Sequence, residues 1–366
     1  MNLVHCTWIP AALLMACAAD AGSAGEVTVE AKLPVTFAQV SNVIEVDGGR
    51  IAFAGDRHFL MADLATGRMD TIGARADSVP QGAPASVYKF PGWVAHLAGD
   101  TVALVDFAAI RTTLWTERGQ AVAALAIPPA GGPTPVLAYD HAGFGYKTDY
   151  RALLGSAEPG RAGVATDSIA VLRIQLATSR VDTVARLAAP EYGDARFGEQ
   201  TQQVAKIFGP NDVFGVLPDG RVWVARAREN RVDWRGPGGV WIRGEPRDYA
   251  RLAVTDADRA RVLERIREQG RGRGLPDGLR LEWPFAEHKP PFEAGMASAA
   301  GEVWLQRPRT PDVALYVYDV YGPDAAWKRA VRLPPEVTLA GFGGSGAIYG
   351  VGKEGERRTV VRLREQ

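Results

Sequence analysis

Residues 218–234, PDGRVWVARARENRVDW, contain the clearest β-hairpin pattern in the chain. A Pro-Asp-Gly turn opens the stretch, and the alternation that follows places Val222 and Val224 on one face of a strand and Trp223 on the other. After a charged break, the alternation resumes through Val232. This hairpin is either a unique element or one copy of a repeat, and the fold depends on which of the two it is.

The same pattern, a glycine turn followed by an alternating apolar strand, occurs six times along the chain. The six copies are Gly49-RIAFAG, Gly99-DTVALVD, Gly143-FGYKTD, Gly220-RVWVAR, Gly301-EVWLQR and Gly346-AIYGVG. Successive glycines are 50, 44, 77, 81 and 45 residues apart. A four-stranded blade of a β-propeller takes about 40–50 residues. Three of the spacings therefore fit one blade each, and the two longer ones require insertions.

Both insertions can be placed from the sequence. The first is predicted in two polar stretches that are rich in small residues, 155–167 and 191–203. The second is predicted to be a helix over about residues 255–269. Thr255 can cap its start while the carboxylate of Asp258 reaches back to the free backbone amides.

The two ends of the chain are predicted to share one blade. The last repeat ends with TVVRLRE and has too few strands, whereas an unassigned alternating strand, EVTVEAKL, precedes the first repeat. Pairing these segments closes the ring and removes free sheet edges. The sequence thus predicts an all-β fold over residues 26–366. This fold is a six-bladed β-propeller with one helical insertion between blades four and five, and its N-terminal strand closes the last blade.

The opening stretch also carries a family resemblance. Gly220-Arg-Val-Trp-Val-Ala, followed by Asn230-Arg-Val and Trp234, resembles the NHL repeat, from which six-bladed propellers are built. The pattern departs at Arg226, where the repeat has an aspartate. Residues 283–307, WPFAEHKPPFEAGMASAAGEVWLQR, are similar to a group of bacterial six-bladed propeller proteins that are often predicted lipoproteins. The resemblance implies a fold and leaves the function open, because one fold hosts many functions.

The N-terminus predicts export. Residues 1–16 are apolar but too short to span a membrane, which takes about 20 residues, and they are interpreted as a lipoprotein signal peptide. Leu14-Met-Ala-Cys17 resembles a bacterial lipobox, so Cys17 is the expected site of lipidation, followed by a short linker, 17–25. The lipid on Cys17 would be the only membrane attachment, at the cell envelope, facing the periplasm or the exterior. Ordinary secretion, with cleavage near residues 19–21, is the alternative.

Composition excludes several classes of function. Lysine plus arginine equals aspartate plus glutamate, at 42 each, so no concentrated basic surface for nucleic acid is expected. Cys6 and Cys17 are the only cysteines. If residues 1–16 are removed and Cys17 is acylated, the mature chain has no thiol for catalysis, zinc binding or a disulfide.

Neither a metal ion nor a cofactor is expected. Propeller lactonases hold Ca²⁺ or Zn²⁺ with Glu, Asn and Asp side chains from several blades. Only four asparagines occur in this chain, and only Asn42 and Asn211 could line the propeller axis. The G-x-G-x-x-G at residues 341–346 is followed by a strand pattern, whereas a dinucleotide site requires a helix there.

The loops that leave the second strand of each blade form a candidate binding face. Acidic residues gather in the first three blades and basic residues in the last three. The candidate residues are Asp56, Arg57, His58, Asp106, Lys147, Asp149, Tyr150, Arg226, Arg228, Arg307 and Lys353. Such a face would suit a protein partner or an anionic ligand on its basic half. The alternative is that these are ordinary solvated loops, where charge is common.

Three functions are compatible with the sequence. The expected one is a non-catalytic, lipid-anchored module, monomeric, that binds a protein or a small ligand outside the cytoplasm. The first alternative is a propeller hydrolase or lyase, lactonase-like, that uses the axial channel. The second is an envelope scaffold protein without a small ligand.

Overall fold

The computed structural model describes residues 24–126, 130–132, 135–149, 167–271, 281–344 and 346–366. The expected signal peptide, Cys17 and most of the linker lie outside these residues, as do Tyr150 and nearly all of the predicted insertion 155–167. Within the described ranges, no helix is long and apolar enough to cross a membrane.

The described residues form 29 strands and one α-helix. The helix, α1, is Asp256–Arg271. In chain order the strands are β1 Gly25–Lys32, β2 Val40–Val46, β3 Arg50–Gly55, β4 His58–Ala62, β5 Met69–Ile72, β6 Ala74–Arg75, β7 Val87–Tyr88, β8 Pro91–His96, β9 Thr101–Asp106, β10 Arg111–Thr116, β11 Ala121–Ala126, β12 Ala138–Tyr139, β13 Phe144–Thr148, β14 Ser168–Gln175, β15 Val181–Ala188, β16 Tyr192–Phe197, β17 Gln200–Ala205, β18 Val213–Val216, β19 Val222–Arg226, β20 Arg231–Arg235, β21 Trp241–Arg243, β22 Leu281–Glu282, β23 Ala294–Ala297, β24 Val303–Gln306, β25 Val317–Tyr321, β26 Trp327–Arg332, β27 Val337–Phe342, β28 Ile348–Glu354 and β29 Arg357–Glu365.

The described strands build six four-stranded antiparallel units, here called blades one to six. Blades one to five are β2–β5, β8–β11, β12–β15, β18–β21 and β23–β26, and blade six consists of β27–β29 with β1. The first strands of successive blades lie side by side: β2 touches β27 and β8, β12 touches β8 and β18, and β18 touches β23. First strands that adjoin in this order surround a common axis, which is the arrangement of a β-propeller.

Blade six is closed by the N-terminal strand, as the sequence predicts. β1 pairs antiparallel with β29, and Val27 lies opposite Glu365. β1 also pairs parallel with β26 of blade five, where Gly25 lies opposite Val331. The two ends of the described chain therefore share a sheet, and blades five and six are joined by backbone hydrogen bonds.

The six glycines of the repeat occupy equivalent turns between the first and second strands of their blades. All six have φ between 66° and 87° (Gly49, Gly99, Gly143, Gly220, Gly301 and Gly346). Residues with a side chain rarely adopt this left-handed conformation, so the turn selects glycine. The predicted repeat is confirmed at each of its six positions.

The helix lies between blades four and five, where the sequence predicts it, and it begins with the expected reciprocal cap. The Thr255 amide donates to Asp258 Oδ2 at 3.0 Å, and the Asp258 amide donates to Thr255 Oγ1 at 3.1 Å. Lys289 Nζ donates to Asp258 Oδ1 at 2.6 Å and to the Arg309 carbonyl at 2.8 Å. The start of α1 is thus attached to the segment that enters blade five.

The two predicted insertions meet in an accessory sheet. The stretch 191–203 contributes to the hairpin β16–β17, and β16 pairs with β22, which follows α1 in the chain. Arg196 lies opposite Glu282 in this pairing. The segments inserted after blade three and after blade four therefore form one layer.

The core lies between the blades, where alternating strand residues of neighbouring sheets meet. Trp223 of blade four packs with Phe292 and Val303 on the blade-five side, and Trp304 of blade five packs with Val337 of blade six. Both indoles are about 98% buried or more. An aromatic repeated in register thus fills the space between blades, as its equivalent position in two repeats indicates.

Candidate functional site

Two of the candidate carboxylates serve the fold directly. Asp106 is fully buried at the end of β9, and it accepts hydrogen bonds from the amides of Lys89 at 2.7 Å and Phe90 at 3.0 Å. In blade one, Asp56 accepts from the amides of Ala38 at 2.6 Å and Gln39 at 3.0 Å. Each carboxylate ties the end of a second strand to the segment that enters the first strand of the same blade.

Three further candidates, which belong to blades one and three, differ in exposure. Arg57 is exposed, and its guanidinium lies 5.5 Å from the Phe90 ring centroid. His58 is partly exposed, but its Nδ1 is buried and has no hydrogen-bond partner among the described residues. Lys147 is fully buried, with Nζ donating to the Gly132 carbonyl at 2.7 Å.

Two more candidates, Asp149 and Lys353, form backbone hydrogen bonds, and the last one lies outside the described residues. The amide of Asp149, which is partly exposed, donates to the Ala170 carbonyl at 2.8 Å. Lys353 is exposed at the end of β28, and its amide donates to the Glu336 carbonyl at 3.0 Å. Tyr150 lies outside the described residues.

Arg307 is held by an internal ion pair. Its guanidinium donates twice to Asp319 on the neighbouring strand β25, from Nε and from Nη2, each at 2.8 Å. Burial acts to raise the pKa of Asp319, but the hydrogen bonds and positive charge of Arg307 outweigh that effect and leave the pKa below its usual value. Arg307 therefore has a partner within its own blade.

Arg226 occupies the equivalent position in blade four and joins two carboxylates. Its Nε donates to Asp233 Oδ2 at 3.1 Å, and its Nη1 donates to Asp212 Oδ2 at 2.9 Å. Asp212 also accepts from the amides of Ala188 at 2.9 Å and Ala227 at 3.0 Å. Asp212 thus ties the segment that enters blade four to the end of the second strand, as Asp106 does in blade two from the end of β9. In blade four the end of the second strand carries a base, Arg226.

A polar cleft of about 470 Å³ opens beside this arginine, between blades three and four. Its lining is Ser168, Arg186, Leu187, Ala188, Asp212, Arg226, Arg228, Glu229, Arg231, Asp233, Trp241 and Arg243. The volume falls within the range of about 300–1,000 Å³ that small-molecule sites usually have. Five arginines face three carboxylates in this lining, so its formal net charge is +2.

The cleft floor comprises Arg226, Arg231, Asp212 and Asp233. Arg231 Nε donates to Asp233 Oδ1 at 3.0 Å, so Asp233 holds Arg226 and Arg231 together. The side chains of Asp212 and Asp233 are only 2% and 4% exposed. The floor is therefore electrically balanced, and its side chains are fixed by one another.

The cleft lip comprises Arg186, Arg228, Arg243 and Glu229, which are all exposed. Arg186 Nη1 donates to Ser168 Oγ at 3.2 Å, and Arg228 Nη2 donates to the Ala189 carbonyl at 3.4 Å. Within the part of the chain that the structure describes, Arg243 makes no side-chain hydrogen bond and no ion pair. The lip supplies the whole of the excess positive charge of the cleft.

Strand geometry explains why these side chains converge. Arg231 and Asp233 are two residues apart on β20, so they project to the same face of the sheet, and Arg243 lies opposite Asp233 on β21. The outer strand of blade three, β15, packs against β19 of blade four and brings Arg186 to the opposite side of the cleft. The site is therefore composite and needs both blades.

The sequence points to this cleft at two positions only, Arg226 and Arg228. The other arginines were missed because Arg186 and Arg243 belong to the outer strands of different blades, and only the packing of the two blades brings them together. One signal was present in the sequence. Arg226 stands where the NHL repeat, which this stretch resembles, has an aspartate, and an acid, Asp212, lies just before the first strand of the same blade.

In the ranges that the structure describes, no three His, Cys, Asp or Glu side chains converge closely enough to hold a metal ion.

No family model matches the chain, and no curated protein sequence matches it. Solved structures do match. A DUF4221 family member from Bacteroides vulgatus aligns over 93% of this chain and 99% of its own, with a TM-score of 0.51 and 9% identity. An aldose sugar dehydrogenase from Streptomyces coelicolor aligns over 94% and 99%, with a TM-score of 0.46 and 13% identity. A gluconolactonase from Xanthomonas campestris aligns over 94% and 96%, with a TM-score of 0.45 and 14% identity.

These likenesses concern the fold. The chain is a β-propeller protein, as its sheet topology shows independently. At such low identities an activity does not transfer, so function is argued from the cleft itself.

Proposed function

We propose that this protein is an exported, non-catalytic β-propeller that binds an anionic ligand in the cleft between blades three and four. The observation that carries the proposal is the cleft lip, where three exposed arginines surround an opening whose floor is already neutral. A guanidinium offers five N–H donors, and Arg186 and Arg228 each make one side-chain hydrogen bond to described residues. Most of their donors are available to a ligand.

The cleft floor supports this role because its side chains are already fixed in place before a ligand binds. Asp212 and Asp233 keep Arg226 and Arg231 in place, so a ligand meets an arranged surface and need not order it. Arginine forks bind carboxylate and phosphate groups in a bidentate manner, and positive charge around a cleft raises the local concentration of anions.

The same contacts make the two floor carboxylates poorly suited to general-base catalysis. A carboxylate that acts as a general base must be free to accept a proton from water or substrate. Asp212 is engaged by Arg226 and two backbone amides, and Asp233 by two arginines. The competing hypothesis, a lactonase-like hydrolase or lyase at the axial channel, predicts turnover that does not depend on the lip arginines.

The proposed location is the cell envelope, through a lipid on Cys17. The lipobox-like Leu14–Cys17 supports this location, and secretion without a lipid is the alternative. Since β1 begins at Gly25 in blade six, a lipid on Cys17 would attach to the chain eight residues before that strand. We also propose that the blades are NHL-like, on the evidence of the pattern at residues 220–234.

Calorimetric titration of the full-length protein with citrate, inorganic phosphate and glucuronate at low salt tests the proposed site. At least one of these anions should bind, and the combined variant Arg228→Gln and Arg243→Gln should lose at least about tenfold in affinity. Arg118→Gln, an exposed arginine in a turn of blade two, is the matched control and should bind as the parent does. Binding should weaken with added salt, because the lip is exposed.

The proposal is overturned by either of two results. One is that none of the three anions binds. The other is that an anion binds with the same affinity to the parent and to the Arg228/Arg243 variant.

A further inference from the structure

The cleft lining also contains one aromatic side chain, Trp241, whose presence there the binding of an anion by arginines does not explain. Trp241 begins β21 and lies in the cleft lining among arginines. It packs against the buried cluster between blades three and four, which includes Tyr146, Val184 and Val222. The indole is partly exposed, and its Nε1 makes no hydrogen bond within the described residues. The core thus supports the ring from one side and leaves part of it open to the cleft.

The strand geometry places this ring beside a lip arginine. Trp241 and Arg243 are two residues apart on β21, so they project to the same face, and Arg235 lies opposite Trp241 on β20. An apolar ring face next to a guanidinium fork is complementary to a molecule that has an apolar face and an adjacent planar anion. Small-molecule sites usually combine an aromatic wall with a few directed polar groups.

Another polar group of the lip, Glu229, narrows the class of ligand further. Glu229 is exposed in the cleft lining and forms no ion pair among the described residues, so its carboxylate is open to hydroxyl donors. A ligand that brings both hydroxyl groups and one negative charge satisfies Glu229 and the arginines together. Inorganic phosphate as a dianion would offer Glu229 a single O–H donor and would be repelled by its negative charge.

We infer that the ligand is a carboxylate-bearing saccharide, with a uronic acid residue stacked on Trp241 and its carboxylate held by Arg243 and Arg228. This inference rests on the proposed anion-binding function of the same cleft and adds the class of ligand. A pyranose ring presents C–H groups on its face, hydroxyls around its edge and, in a uronic acid, one planar carboxylate. These features match the indole, the Glu229 carboxylate and the guanidinium forks in turn.

Three ligands and two variants test the inference by calorimetry on the full-length protein. The ligands are an oligomer of galacturonate, the corresponding neutral galactose oligomer, and inorganic phosphate. The galacturonate oligomer should bind at least about tenfold more tightly than either of the others. Trp241→Ala should weaken its binding by about tenfold or more, whereas Trp241→Phe, which keeps an aromatic face, should retain most of the affinity.

The variants also separate the possible failures. Thermal unfolding shows whether Trp241→Ala has kept its fold. If it has not, the preference of the parent for the galacturonate oligomer over the neutral oligomer and phosphate decides the inference. If phosphate or citrate binds through Arg228 and Arg243 but galacturonate binds no better, the saccharide inference is wrong and the anion-binding proposal stands. Equal binding of galacturonate to the parent and both Trp241 variants also overturns the inference. If no anion binds, the proposed function fails together with the inference.

Discussion

Asp212 and Arg226 lie 2.9 Å apart at the entrance to blade four, in an arrangement that reverses the positions used in blades one and two. There, Asp56 and Asp106 lie at the end of the second strand and bind amides of the entering segment. In blade four the acid comes from the entering segment and the base from the end of the second strand. The exchange keeps the tie between the two segments and adds a guanidinium to the cleft floor.

Removing the carboxylate of Asp212 should destabilise the protein. Asp212→Ala leaves the amides of Ala188 and Ala227 without their acceptor and removes one partner of Arg226. We expect a loss of about 2–3 kcal/mol in the free energy of unfolding, measured by urea denaturation. Asp77→Ala is the control, because that side chain is fully exposed, and it should change the stability by less than about 0.5 kcal/mol. Equal stability of Asp212→Ala and the parent would contradict this account.

The buried pair of Lys289 and Asp258 should be costly to break. Both side chains are at most 5% exposed, so Lys289→Met would leave the Asp258 carboxylate buried without its countercharge. We expect a loss of about 3–5 kcal/mol in unfolding free energy by urea denaturation. Lys328→Met, at an exposed ion pair with Asp324, is the matched control and should lose less than about 1 kcal/mol. A loss for Lys289→Met no larger than that of the control would show that the pair does not anchor α1.

Acid should weaken the fold in part through Asp319. Its folded-state pKa lies below its usual value, so its ion pair with Arg307 contributes fully above the unfolded pKa of about 3.9. That contribution is lost as the pH falls through the lower, folded-state pKa. Unfolding free energies measured by urea between about pH 6 and pH 3 should fall less steeply for Asp319→Asn than for the parent. An identical pH dependence of the unfolding free energy in the variant and the parent would show that Asp319 does not contribute to acid sensitivity.

Lipidation is expected at Cys17. Cells that express the protein and are supplied with a radioactive fatty acid should yield a labelled protein, and Cys17→Ala should abolish the label. Cys6→Ala lies within the predicted signal peptide and is the control that should retain it. Label that persists in Cys17→Ala shows that the lipobox assignment is wrong. An exported but unlabelled parent protein supports the secretion alternative.

The fold was predictable because its signals are local. A glycine turn and an alternating strand occupy fewer than ten consecutive residues, and each of the six copies, including Gly220 and its strand, could be recognised without knowing its neighbours. The cap formed by Thr255 and Asp258 spans only four residues and is equally local. Closure of the ring followed from counting strands at the two ends of the chain.

The candidate site was harder to predict because its contacts are distant in sequence. From the sequence, Asp106 resembles a solvated acid in a loop, yet its carboxylate accepts hydrogen bonds from amides 16 and 17 residues earlier in the chain. Lys147 reads as a basic loop residue and is fully buried. The cleft brings together Arg186 and Arg228 from different blades, and no spacing within one repeat encodes that approach.

Ring closure also sets the order in which the protein can be completed. Val27 lies opposite Glu365, so β1 cannot take its place until almost the whole chain has been synthesised. Pairing between segments so distant in sequence costs more loop-closure entropy than pairing within a hairpin and is slower. The first of the described strands is therefore the last to be paired. The lipid that we propose on Cys17 would hold that strand at the membrane while the other blades form.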